Sequence, residues 1–216
     1  MSATTRLRFE LPGTWGRIDL ETEATLQRSI RKVLGTVTHR RDDLADVRAD
    51  LRRRIESAAG EARKGGATDF YLAFSLMPGV PLPAWISVFS PEIDSVDFAK
   101  LGLDEIHQYL EHGTRDWGDS DAVRRSATAE AGAQSIRIVR HSWRRVRDVV
   151  EGNVAQRFEF VEADYWVAAT APNRLALLTF STALAEYEEE MLALFDAVVG
   201  TIRWPAPQTA TTPSLT

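Results

Sequence analysis

The spacing of hydrophobic residues changes from helical to strand-like in the first third of the chain. Residues 22–34 and 42–64 carry apolar side chains at helical spacing, which predicts two amphipathic helices. Aromatic and β-branched residues then dominate segments 69–77 and 84–89, which predicts strands. Three prolines within residues 78–83 separate these strands, and they predict a hairpin loop or a rigid turn.

Two further strands are predicted before the first helix. Leu7, Phe9 and Leu11 alternate with charged residues, as in a half-buried strand, and Pro12-Gly13 ends this segment. Residues 15–20 read as a second short strand. Gly35 follows the last periodic position of the first helix and is expected to form its C-cap.

The last hundred residues predict an antiparallel meander followed by a helix. Segments 123–130, 135–146, 156–170 and 175–181 have strand character, and residues 185–199 form a closing helix with glutamates in its first turns. No strands alternate with crossover helices, so the sheet is expected to be antiparallel. The predicted fold class is therefore α+β, with about six strands.

Length and composition favour a single globular domain. The chain has 216 residues, of which 44% are hydrophobic and 26% charged, as in ordinary globular proteins. We expect one α+β domain over residues 1–204. Residues 205–216 lack charged residues and have little apolar content, so we expect a disordered tail there.

Charge and the absence of cysteine restrict the partners and the compartment. A formal net charge of −5 is unfavourable for binding nucleic acid or an anionic membrane, so neither is expected as a partner. No apolar stretch is long enough to predict a membrane span or a signal peptide, which makes the cytoplasm the expected location. The absence of cysteine excludes a disulfide scaffold and a thiol nucleophile.

The sequence carries no recognisable catalytic or metal-binding motif. His107 and His112 lie five residues apart, whereas a metal-binding pair on one helical face needs a spacing of four. Nucleotide-binding glycine loops and the serine nucleophile motif do not occur. We therefore expect a protein without enzymatic activity, metal or cofactor.

Five residues are candidates for binding a partner. The predicted strand 137–147 is rich in arginine and contains no acidic residue, and it supplies Arg140, Trp143 and Arg145. Nucleic acid and an acidic protein are alternative partners for this strand, but pairing with Glu159, Glu162 and Asp164 of the next strand is favoured. Trp85 follows the proline turn and Trp117 lies in a predicted loop, so both are candidate exposed anchors.

Two segments carry a resemblance to a known family. The chain opens with Phe9-Glu10-Leu11-Pro12-Gly13-Thr14-Trp15, and near its end a Leu-Thr-Phe-Ser strand at residues 178–181 precedes a glutamate-rich helix. The last ordered residues are expected to be Thr201-Ile202-Arg203-Trp204. These motifs resemble the Mog1/PsbP-like superfamily, including bacterial members of unknown function. The resemblance covers residues 5–20 and about 120–204, whereas segment 21–65 is longer and more helical than in that family.

The resemblance implies an antiparallel sheet layered between helices, an α/β/α sandwich. Characterised members of the superfamily mostly bind proteins, so a protein-binding module acting as an adaptor or a chaperone is our first hypothesis. The proline turn 78–83 and strand 137–147 would supply the rim of its binding surface. The alternative is a small-ligand-binding protein with an apolar pocket lined by Phe70, Phe74, Trp85 and Phe160. The oligomeric state is left open, with a homodimer as one alternative.

Overall fold

Eight strands form one antiparallel sheet in the computed structural model, which describes residues 7–37, 45–92, 96–102, 104–106, 108–109, 125–130, 136–151, 154–170 and 173–204. The strands are β1 (Thr14–Asp19), β2 (Asp69–Met77), β3 (Val80–Pro81), β4 (Ala84–Phe89), β5 (Arg125–Glu130), β6 (Ile136–Glu151), β7 (Val154–Thr170) and β8 (Asn173–Thr182). The longer helices are α1 (Glu23–Val37), α2 (Ala45–Lys64) and α3 (Glu188–Gly200). Residues 104–106 and 108–109 are also helical, and short 3-10 turns lie at Phe98–Lys100 and Ala185–Tyr187. The predicted α+β class with an antiparallel sheet is confirmed, but the sheet has eight strands where about six were expected, one of them being the two-residue β3 within the predicted proline turn.

The order of the strands in the sheet is β1-β2-β4-β8-β7-β6-β5, and the two-residue β3 pairs only with β2. β5 to β8 follow one another as hairpins, so the predicted C-terminal meander is confirmed. β8 ends this meander beside β4, with Ala84 opposite Thr182 and Phe89 opposite Leu177. β8, the last of the described strands along the chain, therefore lies in the middle of the sheet and joins its two halves.

One face of the sheet packs against α3. Alternate residues of β7 and β8, such as Tyr165 and Phe180, point to this face and are fully buried. The ring of Phe180 lies 4.6 Å from that of Phe195 in α3 and 5.1 Å from that of Tyr165. The segment around Leu178-Thr179-Phe180-Ser181 is thus a sheet strand whose apolar side is covered by the glutamate-led helix.

Two ion pairs hold α3 along β6. Arg140 binds Asp196, and the Arg144 Nε donates to Glu188 Oε2 at 2.7 Å. Arg140 and Arg144 are four residues apart in the strand, and Glu188 and Asp196 are eight residues apart in the helix, so each pair is separated by about 12–13 Å. The two ion pairs therefore match when α3 runs antiparallel to β6. The Tyr165 hydroxyl also donates to Asp196, at 2.7 Å.

The opposite face of the sheet packs against α1 and α2 around β1 and β2. Ile18 and Phe70 from the strands form a buried cluster with Ile30 of α1 and Ile55 of α2. The predicted stripe of α1 forms part of this cluster, and so do Leu51, Ile55 and Ala62 of the α2 stripe, whereas Ala58 of that stripe is exposed. This cluster occupies the part of the face formed by β1 and β2. On the part formed by β8, β7 and β6, several of the side chains are polar or charged.

Two local expectations are wrong. Residues 7–11 form no strand, because their only bridge joins Arg8 to Arg203, although Leu7, Phe9 and Leu11 do pack against the core. Gly35 lies within α1, which continues to Val37, and it does not adopt the positive φ of a glycine C-cap. The predicted tail 205–216 and Trp117 lie outside the described residues.

No helix among the described residues combines the length and the apolar character that crossing a membrane requires.

Candidate functional site

A cleft of about 810 Å³ lies between the C-terminal end of α2 and the sheet face opposite α3. Ala58, Glu61 and Ala62 of α2 form one side, and β4, β8, β7 and β6 form the other. The sheet residues that line it are Phe70, Trp85, Ser87, Phe89, Trp143, Arg145, Arg147, Glu162, Asp164, Trp166, Leu177, Thr179 and Ser181. This volume lies within the range of about 300–1,000 Å³ for ligand pockets.

The registers of four strands place a row of residues across the floor of this cleft. Trp85 in β4 lies opposite Ser181 in β8, Ser181 opposite Glu162 in β7, and Glu162 opposite Trp143 in β6. All four side chains point to the same face because directly opposed residues share a face of the sheet. Two indoles therefore flank a hydroxyl and a carboxylate.

Glu162 is the charged centre of the floor and is 4% exposed. The Trp143 Nε1–H donates to Glu162 Oε2 at 3.1 Å, and the Arg147 guanidinium donates to Oε1. The Arg145 Nε lies 3.3 Å from Oε2. Two cations and an indole donor thus compensate the buried carboxylate.

Other polar groups share the floor with Glu162. Ser87, Thr179 and Asp164 form the neighbouring row, beginning at Phe70 in β2. The Ser181 hydroxyl is buried and has no hydrogen-bond partner among the described residues. On the opposite face, the same strands present mainly apolar residues to α3, and Arg140 and Arg144 of β6 pair there with Asp196 and Glu188 of α3.

An aromatic track leads from the cleft towards one end of the sheet. The ring of Trp85 lies 5.7 Å from that of Phe160, and Phe160 lies 6.5 Å from Phe158. The Arg147 guanidinium stands over the Phe160 ring at 5.6 Å, a cation–π geometry. Phe158 is 38% exposed, so the track ends on the surface.

The track runs onto a two-stranded ribbon formed by residues 143–151 of β6 and 154–160 of β7. β8 pairs with β7 only from Val161 onwards, and β5 pairs with β6 only as far as Ser142. Within the described part of the chain, these two segments therefore pair only with each other. Met77 and Val80 of the β2–β3 hairpin are exposed at the same end of the sheet.

Three of the five predicted binding residues, Trp85, Trp143 and Arg145, lie in the cleft. Arg140 does not join them, because strand alternation turns it to the other face, where it binds Asp196. Burial opposes the charge of Arg140, but Asp196 and Tyr165 outweigh that effect and raise its pKa. Trp117 is outside the described residues.

The predicted pairing of the arginine-rich strand with acids of the next strand is confirmed for Glu159 and Glu162. Arg145 and Arg147 contact Glu162, and an Arg144 nitrogen lies 3.8 Å from Glu159. Arg140 and Arg144 additionally hold α3 in place.

The apolar pocket predicted from the sequence differs in its lining residues from the observed cleft. Phe70 and Trp85 line the cleft, and Phe160 contacts Trp85. Phe74 instead packs with the cluster under α1 and α2. The cleft is more polar than expected because Ser87, Thr179, Ser181 and Glu162 form its floor.

Sequence reasoning did not identify Glu162, Ser181 and Arg147 as members of one site. The signal was present in β7, where Phe160, Glu162, Asp164 and Trp166 alternate with Val161, Ala163, Tyr165 and Val167. Such alternation indicates one apolar face and one face carrying acids and aromatics. The positions of its neighbours β6 and β8 were needed to gather these side chains into a cleft.

The described residues contain no cluster of three or more histidine, aspartate or glutamate side chains able to hold a metal ion. Comparison with known proteins adds no relative, since neither protein-family models nor curated proteins match this chain.

Proposed function

We propose that the protein is a protein-binding module, acting as an adaptor or chaperone, that binds a segment of its partner in the cleft. The observation that carries this proposal is the convergence of Trp85, Trp143 and Arg145 on one concave site. Tryptophan and arginine are enriched among the residues that dominate the binding energy of protein interfaces.

The aromatic track supports a partner larger than the cleft itself. A small molecule would be accommodated by the floor around Glu162, whereas the surface continues over Phe160 to the exposed Phe158. A polypeptide segment would bury both regions at once. The turn at residues 78–83 and the ribbon would then form the rim on either side of this surface, and the ribbon includes residues 143–147 of the strand 137–147 that the sequence-based hypothesis assigned to the rim.

Affinity capture with a cleft variant tests the proposal. Ala58→Trp places a bulky indole on the helical wall of the cleft at an exposed position, so the fold should be retained. Ala193→Trp, at an exposed position of α3 on the other side of the sheet, is the matched control. We expect the wild type and Ala193→Trp to recover the same protein from an extract of the producing cells, and Ala58→Trp to lose it. Failure to recover a specific protein, or equal recovery by Ala58→Trp, would contradict the proposal.

Small-ligand binding is the second candidate, and the cleft volume together with the buried Ser181 hydroxyl favours it. Native mass spectrometry of the purified protein would reveal a bound metabolite as an added mass. Loss of that mass in Ala58→Trp but not in Ala193→Trp would support a small ligand. An unliganded mass for all three proteins would count against this candidate.

We also propose kinship with the Mog1/PsbP-like superfamily. Its support is the position of the Leu-Thr-Phe-Ser strand in an antiparallel sheet, with its apolar side covered by the terminal helix. Superposition of an experimental structure on members of the superfamily tests the kinship, and a different strand order in those members would contradict it. The cytoplasmic location stays a prediction, and a homodimer stays one alternative for the oligomeric state.

A further inference from the structure

We propose that the partner segment binds as an additional β-strand along residues 154–160 of β7, in the position that β8 leaves at Thr182. This inference rests on the proposed function and specifies how the partner binds.

The backbone of β7 supplies the first argument. Residues 154–160 continue the strand for about 23 Å beyond the last pair with β8. Among the described strands they pair only with β6, which uses the N–H and C=O groups on one side of β7. The groups on the other side form an edge of the kind to which extended peptides add as strands.

The chain itself turns away from this edge after Thr182. The Ala183 N–H donates to Pro83 O at 3.3 Å, and the 3-10 turn at Ala185–Tyr187 follows, with Ala185 buried in the core beside α3. β8 therefore leaves its strand position for the α3 side. The position next to residues 154–160 continues the line of β8.

The β2–β3 hairpin forms the far wall of that position, about two strand spacings or 10 Å from β7. Pro81 and Pro83 in this wall lack an N–H, and the Pro83 carbonyl already accepts from Thr182 Oγ1 and Ala183 N. This wall therefore offers few backbone donors and acceptors for β-ladder hydrogen bonds. An incoming strand would consequently take its backbone hydrogen bonds from β7.

The side chains around the edge define the chemistry of the partner segment. Phe158 and Phe160 point to the cleft face, and strand alternation would place every second residue of an added strand beside them. Exposed Val80 and Met77 lie on the hairpin side. The segment is thus an extended peptide with apolar or aromatic residues at alternate positions, one of which reaches the track towards Trp85.

The width of the position favours a foreign extended segment over a second copy of this chain. The outermost strands of the sheet, β1 and β5, are each already paired with one neighbour, and β1 also packs against α1. If β1 or β5 of a second copy entered between β7 and the hairpin, the strand already paired with it would have to enter as well, although the gap holds only one strand. An isolated segment of another protein has no such neighbour.

Peptide selection followed by hydrogen exchange tests the proposal. Peptides are selected from a phage-display library on the full-length protein, and the strongest binder is then synthesised. We expect Phe158→Ala to weaken its binding about tenfold, whereas Tyr187→Ala, which removes an aromatic ring exposed on the other side of the sheet, leaves it unchanged. Bound peptide should slow amide exchange in residues 154–160.

The outcomes separate this inference from the proposed function. Peptide binding that Ala58→Trp abolishes, with no protection of residues 154–160, would overturn strand addition and leave the cleft as the binding site. Binding that neither Ala58→Trp nor Phe158→Ala weakens would overturn both. Protection of the same amides by self-association, without peptide, would replace the foreign segment by a second copy. If residues 154–160 are protected in the full-length protein without peptide, and this protection is lost when the chain is truncated after Trp204, the occupant is the protein's own C-terminal segment. That result would also overturn the inference.

Discussion

Trp143 and Glu162 lie directly opposite each other on β6 and β7, and the indole Nε1–H donates to the carboxylate at 3.1 Å. The same carboxylate binds Arg145 and Arg147, so one residue fixes three side chains of the cleft. The cleft floor is therefore preorganised by groups that belong to two neighbouring strands.

Replacing Glu162 with glutamine should destabilise the protein by about 1–3 kcal/mol. The amide retains the shape but leaves two guanidinium groups beside a neutral group, and their partial exposure keeps the loss below that of a fully buried pair. Urea denaturation measures the free energy of unfolding. Glu159→Gln is the control, because the Glu159 side chain is 55% exposed and its carboxylate lies 3.8 Å from the nearest Arg144 nitrogen. A loss for Glu162→Gln no larger than for Glu159→Gln would contradict the role of this carboxylate.

Tyr165 should make stability fall at alkaline pH. Burial and, second, its hydrogen bond to Asp196 raise the pKa of the Tyr165 hydroxyl above its ordinary value of 10.0. The neutral hydroxyl thus stabilises the fold fully below pH 10, and this contribution is lost as the pH rises and the unfolded chain ionises.

Tyr165→Phe tests this pH dependence. It should cost about 1–2 kcal/mol at pH 7, because a hydrogen bond to a carboxylate is lost. At pH 11 the difference between the two proteins should shrink by about 1.4 kcal/mol. Tyr187→Phe, at an exposed site, should leave the free energy of unfolding unchanged at both values. An equal cost of Tyr165→Phe at pH 7 and pH 11 would refute the assignment.

Glu188 should contribute to the attachment of α3. Its carboxylate is 7% exposed and accepts from Arg144, and this hydrogen bond raises the pKa of Arg144. Glu188→Gln should lower the free energy of unfolding by about 1–2 kcal/mol, since half of the Arg144 side chain is solvated. The exposed neighbour Glu189→Gln should change it by less than about 0.5 kcal/mol. Indistinguishable effects of the two substitutions in thermal or urea denaturation would disprove this.

Two glycines should respond in opposite directions to alanine. A Cβ at Gly16 would lie 2.8 Å from Val33 Cγ2, so Gly16→Ala should overpack the contact between β1 and α1 and cost about 1–3 kcal/mol. A Cβ at Gly35 would meet nothing within 4 Å outside its own helical backbone, and Gly35 lies inside α1, so Gly35→Ala should stabilise the protein by about 0.5–1 kcal/mol. In a Val33→Ala background, Gly16→Ala should cost less than in the wild type. The same cost in both backgrounds would mean that Val33 is not the obstacle.

Local patterns were sufficient for most elements but not for the site. The stripe of α2 and the alternation in β7 and β8 depend on nearby residues, so both could be predicted. The pairing of β4 with β8 joins segments about ninety residues apart, and no local pattern in either strand specifies it. Trp85 and Trp143 meet the same cleft only through that pairing. Arg140 was grouped with Arg145 because they share one strand, although an odd separation in a strand puts two side chains on opposite faces.

The central place of β8 also has a consequence for the order in which the molecule can assemble. During synthesis, the strands before residue 90 emerge first and β4 can pair with β2, but β4 meets its second neighbour, β8, only when residues 177–182 have been made. Until then the growing chain exposes an apolar strand edge, and completion requires a contact between segments far apart in sequence, which slows folding. Protection of nascent chains at this stage would therefore matter more for this protein than for one whose strands pair in chain order.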